Sequence, residues 1–248
     1  MRILADLHIH TIASGHAYST IEEVTSAAGD KGLELVAITD HGPAMPGGPH
    51  EYYFGNLRVL PPVMNGVKVL QGVEANIMDE RGRLDLREIF LTRLDLVLAG
   101  LHNVCIEPMC REKNTLAMVN ALRNPFVDIV VHPGNPDFPI DMPAVISAVA
   151  EQGKALEINN SSFLVRRGSY EPCLEIARLA READVPVSIS SDAHISRDVG
   201  ALSLALDLAL AAGIPEKNII NLNADRVERF LALRQKRRFA GNGGGGNG

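Results

Sequence analysis

The feature that most limits how this chain can fold is an alternation along its length. Seven short apolar runs of strand length fall at residues 2–7, 34–39, 67–75, 95–101, 127–131, 155–159 and 187–190. Segments of helical period follow most of them, at 20–31, 112–123, 141–152, 169–183 and 198–212. Ser19 or Thr20 can cap the first of these, and Glu22 and Glu23 suit its first turn. Between the second and third runs, Glu51 to Val59 can be helical until Pro61-Pro62 stops it. Short apolar strands alternating with helices are the pattern of successive βα units around a parallel sheet. Seven such units are too many for a small two-layer wound sheet, and they approach the size and repeat of an eight-stranded α/β barrel. The expected fold is therefore α/β: an irregular, TIM-like seven-stranded (β/α)7 barrel with its active site at the C-terminal face of the strands. An open doubly wound sheet is the structural alternative. No Pro- or Ser-rich linker interrupts residues 1–240, so they are read as one domain, and no internal repeat is evident. Residues 241–248, all Gly and Asn, have no side chains that could pack and are read as a flexible or appended tail outside the fold.

Composition removes several function classes. The chain of 248 residues carries a formal charge of -6, has 4% aromatic residues and lacks tryptophan. A nucleic-acid partner is thereby disfavoured, since binders of that kind normally show a basic face or stacking aromatics. The one basic run, Arg234-Gln235-Lys236-Arg237-Arg238, falls at the end of the last helical segment, where cations suit the carbonyl end of a helix. Cys105, Cys110 and Cys173 are an odd set without zinc-finger spacing, and no basic region followed by an apolar stretch opens the chain. The most apolar helix, around residues 201–206, also contains Asp207 and is too short to span a bilayer. These features predict a cytoplasmic protein without a membrane partner, and they leave a homo-oligomer open.

The chemistry is concentrated in histidine. Seven of the eight histidines, His8, His10, His16, His41, His102, His132 and His194, lie at the C-terminal end of an expected strand or in the loop after it. In a parallel barrel those ends open on one face, where active sites are built. Residues i and i+2 of a strand point to the same side, so His8 and His10 can aim at one point, and Asp192 and His194 repeat the spacing. A lone loop histidine is ordinarily a hydrogen-bonded polar residue. Seven in one mouth would repel one another on charging unless a metal held them, and neutral imidazole is a common metal ligand. Glu74 and Asp192 bring the candidate ligands to nine, more than one tetrahedral ion can use. Such a set suits two or three ions, with a carboxylate such as Glu74 bridging a pair.

These residues resemble the polymerase and histidinol phosphatase (PHP) domain family. The resembling segments are Asp6-Leu7-His8-Ile9-His10-Thr11, Thr39-Asp40-His41-Gly42, Gly72-Val73-Glu74, Gly100-Leu101-His102, Val131-His132-Pro133-Gly134 and Ser191-Asp192-Ala193-His194, in the family's order. The resemblance is greatest to small stand-alone bacterial PHP phosphatases, because Glu157-Ile158-Asn159-Asn160-Ser161-Ser162-Phe163 and Arg167-Gly168-Ser169 also look like theirs. It implies a trinuclear metal centre: His8, His10, Glu74 and Asp192 around one ion, Glu74, His102 and His132 around a second, and His16, His41 and His194 around the third. Zinc is the first expectation for the three divalent ions, with manganese or iron as alternatives. Glu74, Asp192 and His194 are expected nearest the chemistry.

Several other residues carry two readings. Asp40 could be a ligand, but strand alternation turns it away from His41, which favours a supporting role. His50 could overhang the mouth or be an exposed loop residue after Ala44-Met45-Pro46-Gly47-Gly48-Pro49, a loop with no clear substrate signal. Glu157 and Asn159 could support the ligands or bond within the barrel core. Arg166 and Arg167, on the mouth side, are candidates to bind substrate phosphate, against the plainer reading of exposed loop cations. Cys105 reads as a reduced thiol more readily than as a soft ligand. The function expected is hydrolysis of small phosphomonoesters by a metal-bound hydroxide attacking phosphorus in line, without a side-chain nucleophile. Histidinol-phosphate phosphatase, phosphodiesterase or exonuclease, metal-dependent amidohydrolase and a metal-binding protein without turnover are the rivals.

Overall fold

The computed structural model describes residues 1–241, so all but Gly241 of the expected tail lies outside the described residues. The strands are β1 (Ala5–Ile9), β2 (Leu35–Ile38), β3 (Val63–Met64), β4 (Val67–Asn76), β5 (Leu96–Gly100), β6 (Ile129–Val130), β7 (Ala155–Asn159) and β8 (Val187–Ser190). The helices are α1 (Ile21–Asp30), α2 (Glu51–Asn56), α3 (Glu88–Leu91), α4 (Arg111–Arg123), α5 (Met142–Gln152), α6 (Ser162–Val165), α7 (Tyr170–Glu182), α8 (Ser203–Ala212) and α9 (Ala224–Gly241). Seven strands form a parallel sheet in the order β1-β2-β4-β5-β6-β7-β8, and the short β3 adds an antiparallel hairpin to β4. A parallel bridge from Ile9 to Ala193 brings the two ends of the sheet together, so the sheet is a nearly closed barrel. There the Asp192 N–H donates to His8 O and the His10 N–H to Ala193 O, both at 2.9 Å.

Local chemistry explains most element boundaries. Thr20 rather than Ser19 caps α1: its hydroxyl accepts the Glu23 N–H, and the Glu23 carboxylate accepts the Thr20 N–H, which together make a capping box. Asp141 caps α5 by accepting the Ala144 N–H. The boundaries of two elements move furthest from expectation. The first strand begins at Ala5 and runs on to Ile9, carrying His8 into the sheet, and the last expected helix starts at Ser203 instead of residue 198. Gly200 accounts for the later start: at φ +70° it breaks the helical run, and its N–H donates to the buried Asp6 carboxylate at 2.8 Å. Asp6 also accepts the Ser191 N–H at 3.1 Å, and it thereby ties the loop after β8 to β1.

Alternate strand residues fill an interior core and two outer ones, the smaller of which sets Ile9, Val36, Ile38 and Val69 against Val24 and Ala28 of α1. Ala5, Leu7, Leu35, Ala37, Leu96, Leu98, Ile129 and Ala155 pack together with Ala224, Val227 and Phe230, so α9 stoppers the barrel at the end away from the strands' C-termini. The basic run 234–238 falls on this helix, and its side chains lie outside the described residues. The outward residues of β4 to β8 pack beneath α4, α5, α7 and α8. Asn221 seals the stoppered end of the seam between β1 and β8. Its amide donates to Ala5 O at 2.8 Å and Ile189 O at 2.6 Å, while its carbonyl accepts the Ile189 N–H at 3.0 Å. Asn221→Ala would leave those buried groups unpaired, and it is expected to lower unfolding stability by about 2 to 4 kcal/mol. A denaturant midpoint close to wild type would show that the seam does not depend on this side chain.

Candidate metal centre

Six strand ends supply the site. A register shift in β1 places Asp6 opposite Val36 and Ile9 opposite Ile38, so Leu7 and His8 together answer the single Ala37. This bulge lets Leu7 join the apolar interior while His8 and His10 reach the mouth. Both histidines are fully buried. Glu74, near the end of β4, is their common target, and its two oxygens face different partners. Oε2 lies 3.3 Å from His8 Nε2, 3.5 Å from His10 Nε2 and 2.7 Å from His41 Nδ1. Oε1 lies 3.1 Å from His102 Nε2 and 2.8 Å from His132 Nε2. Asp192 Oδ1 joins the first group, 3.2 Å from His10 Nε2 and 3.6 Å from His8 Nε2.

The rings of His10 and His41, His10 and His194, His16 and His41, and His16 and His194 are neighbours at centroid distances of 4.3, 4.3, 5.0 and 5.0 Å. All nine candidate ligands therefore meet in one mouth, with His16 at its exposed edge. His41 lies between groups: ligand atoms of His10, His41 and His194 fall within 4.8 Å of one another, and so do those of His41, Glu74 and His102.

The donor set tests well for cations. Seven buried side-chain polar atoms among the described residues lack a hydrogen-bond partner, and five belong here: His8 Nε2, His10 Nε2, His41 Nδ1, His102 Nδ1 and Glu74 Oε2. Buried polar atoms are ordinarily paired, and four of these five, all but His102 Nδ1, meet around Glu74 Oε2, which marks a place for positive charge. Partners on the far side of the His8 and His10 rings fix where a proton sits. His8 Nδ1 lies 2.7 Å from Glu157 Oε1, an oxygen that can only accept, so Nδ1 holds a proton and Nε2 is the nitrogen a cation would bind. Behind His10, the Ser14 hydroxyl donates to Asp40 Oδ1 at 2.7 Å, which leaves its oxygen to accept from His10 Nδ1 at 3.1 Å and from the His41 N–H at 3.1 Å. Asp40 also accepts from the Thr11 N–H and hydroxyl and from the Tyr53 hydroxyl. Its carboxylate is thus fully engaged in support.

Glu157 and Asn159 take the supporting reading too. Glu157 Oε2 accepts the His132 N–H at 2.9 Å and the Asn159 amide at 3.0 Å, and the same amide reaches Asp192 Oδ2 at 3.1 Å. Gly100 is required beside them: a Cβ there would come within 2.8 Å of His132 Cε1. His132 and Asp192 both hold positive φ, at 35° and 57°, a conformation uncommon outside glycine and concentrated at functional sites.

Electrostatics follow the geometry. Burial opposes charge on Glu74 and Asp192, yet His102, His41 and His8 around the first, and His8, His10 and Arg166 around the second, hold both carboxyls well below the usual range. Burial, then the neighbouring His41, lowers His10 well below an ordinary imidazole, and burial with Arg166 pushes His132 down to about 4. For His8, Glu157, Glu74 and Asp192 overcome burial and raise it well above. Ionised carboxylates facing neutral His10 and His132 match the charge state that divalent cations need, whereas at His8 a cation would have to displace a proton that the three carboxylates retain.

A cavity of about 590 Å³ opens above the cluster, and His16, His41, His102, Asp192, His194 and Arg166 are among the residues that line it. Arg166 donates to Ser162 Oγ at 3.0 Å and lies 3.5 Å from Asp192 Oδ2, whereas Arg167 is exposed and does not line the cavity. His50 is exposed and caps α2, its Nδ1 accepting the Tyr52 N–H. Burial pushes the half-buried Cys105 thiol up to about 11, far from a ready thiolate ligand. Sequence reasoning missed Ser14 and Tyr53. Ser14, four residues after His10, carries no pattern of its own, and Tyr53 reaches Asp40 only through the fold.

The PHP domain model matches residues 6–132. A protein of Caldanaerobacter subterraneus subsp. tengcongensis named a probable phosphatase is 53% identical over 239 residues, 96% of this chain and 94% of its own. A probable phosphatase of Thermoanaerobacter sp. is 51% identical over 243 residues, 97% of this chain and 99% of its own. Among solved structures, the histidinol phosphate phosphatase of Lactococcus lactis, complexed with zinc, L-histidinol and phosphate, superposes with a TM-score of 0.61 at 16% identity. It matches 87% of this chain and 95% of its own. At that identity the likeness concerns the fold alone.

Proposed function

The chain belongs to the PHP domain family, and on that premise we propose that it is a metal-dependent phosphatase hydrolysing small phosphomonoesters at a trinuclear site. The observation that carries this reading is the division of Glu74, whose two oxygens each face their own group of ring nitrogens. His8, His10, Glu74 and Asp192 would hold one ion, Glu74, His102 and His132 a second, and His16, His41 and His194 a third, with zinc favoured and manganese or iron as alternatives. Divalent ions held by these residues would supply an acidified water and positive charge for the phosphoryl and leaving oxygens.

The chain's own residues prepare the rest. Asp192 has Oδ2 engaged by Asn159 and Arg166, which leaves Oδ1 turned to the histidines. Arg166, fixed against Ser162, presents its guanidinium at the cavity wall, where a phosphoryl oxygen can be gripped. Ser161 spends its hydroxyl on Ser191 O and Cys105 keeps its proton, so neither is prepared as a nucleophile. Water supplies the new P–O bond, the ester P–O bond breaks, and the alcohol leaves with the proton that the water gave up. The three cysteines are free and, among the described residues, no helix is long and apolar enough to cross a membrane; both fit a cytoplasmic enzyme.

The test is phosphate release from simple phosphomonoesters, measured beside metal content by elemental mass spectrometry. Stripping the ions is expected to lower turnover at least about a hundredfold, and adding zinc or manganese back to restore it. A trapped phospho-enzyme, full turnover without metal, or tight metal binding with no turnover would each remove this reading.

A further inference from the structure

The mouth of the cavity has an unusual rim. Leu164 and Val165, on the single turn α6, are 70% and 71% exposed, and Val104, in the loop after β5, is 58% exposed. All three line the same cavity as Arg166, and Met45 adds a further apolar wall from the loop after β2. Isolated exposed apolar side chains need no explanation, but several converging on one concave site are the usual lining of a ligand pocket.

Their placement is fixed from below. Asn159 Oδ1 accepts the Ser162 N–H at 2.8 Å and the Ser162 hydroxyl at 3.2 Å, and the Ser169 hydroxyl donates to Ser162 O at 2.8 Å. The same Asn159 donates to Glu157 and Asp192. One buried amide therefore sets the metal ligand Asp192 and the turn bearing Leu164 and Val165 in a fixed relation. Arg166 closes the turn with its guanidinium toward Asp192, so the polar end of α6 lies beside the metal ligands and its apolar side chains border the same cavity.

We propose that Leu164, Val165 and Val104 are specificity-determining residues which grip the alcohol half of the substrate, so that the preferred substrates are phosphomonoesters of compact apolar alcohols, aryl-methyl or branched alkyl. This rests on the phosphatase reading above. Asn103 and Asp198 also line the cavity, and Ser161 spends its hydroxyl on Ser191 O; against Leu164, Val165 and Val104 themselves a polyol phosphate would exchange hydration for apolar contact and gain little. The cavity volume of about 590 Å³ sets the size limit at a small ligand.

The experiment compares benzyl phosphate, isobutyl phosphate and glycerol 1-phosphate, whose leaving alcohols are of similar basicity, on the metal-loaded full chain. Wild type is expected to favour benzyl over glycerol 1-phosphate by about tenfold or more in kcat/KM. The double variant Leu164→Ser, Val165→Ser should lower that ratio at least about fivefold, chiefly through the KM for benzyl phosphate, with metal per chain unchanged. Both residues are exposed, so the variant is expected to fold, and its metal content checks this. An unchanged ratio, a wild-type preference for glycerol 1-phosphate, or a change confined to oligomeric state in gel filtration would overturn the proposal. If the metal-loaded protein hydrolyses none of the three, the phosphatase reading itself fails and takes the rim with it.

Discussion

Glu74→Gln is expected to remove most bound transition metal and to lower phosphomonoester turnover on the order of a thousandfold or more. Substituting a residue that merely supports a metal ligand commonly costs 10- to 100-fold in metal affinity or activity. Glu74 stands closer than that, because five imidazoles approach it within 3.5 Å. The amide is isosteric, so the barrel should survive, but one oxygen becomes an NH₂ that can only donate. The amide is neutral, so both groups of histidines lose their anionic partner, and whichever way it turns one of them also meets an N–H instead of an oxygen. The expected result is a folded protein, with wild-type circular dichroism, whose metal-to-protein ratio falls for both groups at once. A variant that keeps its full metal complement and turnover would show that Glu74 does not join the two groups. Loss of one ion with the others retained would limit it to a single site.

The regularity that carried the fold was legible because it is local. Strand-length apolar runs and helical periods are written in neighbouring residues, and each of the seven expected strands corresponds to a strand of the barrel. The convergence of the histidines was legible for the same reason, since strand ends in a parallel barrel share a face. What could not be read is what depends on contacts between distant residues. The bulge that lets Leu7 fill the interior while His8 enters the mouth exists only in the pairing of β1 with β2. Asp40 could be set aside as a ligand by strand alternation, yet the Ser14 hydroxyl that relays it to His10 and the Tyr53 hydroxyl that anchors it come from a loop and from α2. Gly200 looked like one residue in a helical run, and its partner Asp6 lies 194 positions away. Glu157 and Asn159 were balanced between two readings until their partners His8 and Asp192 were in place.

The metal-stripped protein is expected to be most stable near pH 6.5, with a melting temperature that falls on both sides. On the acid side the cause is the buried imidazoles. His132, 3% exposed and pushed down to about 4, refuses a proton that the unfolded chain accepts near 6.5. Each step below 6.5 therefore favours unfolding, by about 3 kcal/mol in total once pH 4 is reached. His10, lowered well below its ordinary value by burial and by His41, acts in the same direction. Glu74 and Asp192 add to the fall at lower pH, because carboxyls held below the usual range contribute stability that disappears as they protonate. On the alkaline side the cause is His8. Three carboxylates, Glu157, Glu74 and Asp192, raise it against its own burial, so its contribution is complete below about 6.5 and is lost as pH rises through its folded value. Bound cations would take the place of that proton among the same carboxylates, so the metal-loaded protein should lose the alkaline decline and keep an acid one. Melting temperatures of stripped and zinc-loaded protein, taken from pH 4 to 9, separate these contributions. A stripped protein that becomes steadily more stable toward pH 4 would mean that His10 and His132 are not held neutral, and an alkaline decline that persists with metal bound would mean that the cations do not sit among the carboxylates facing His8.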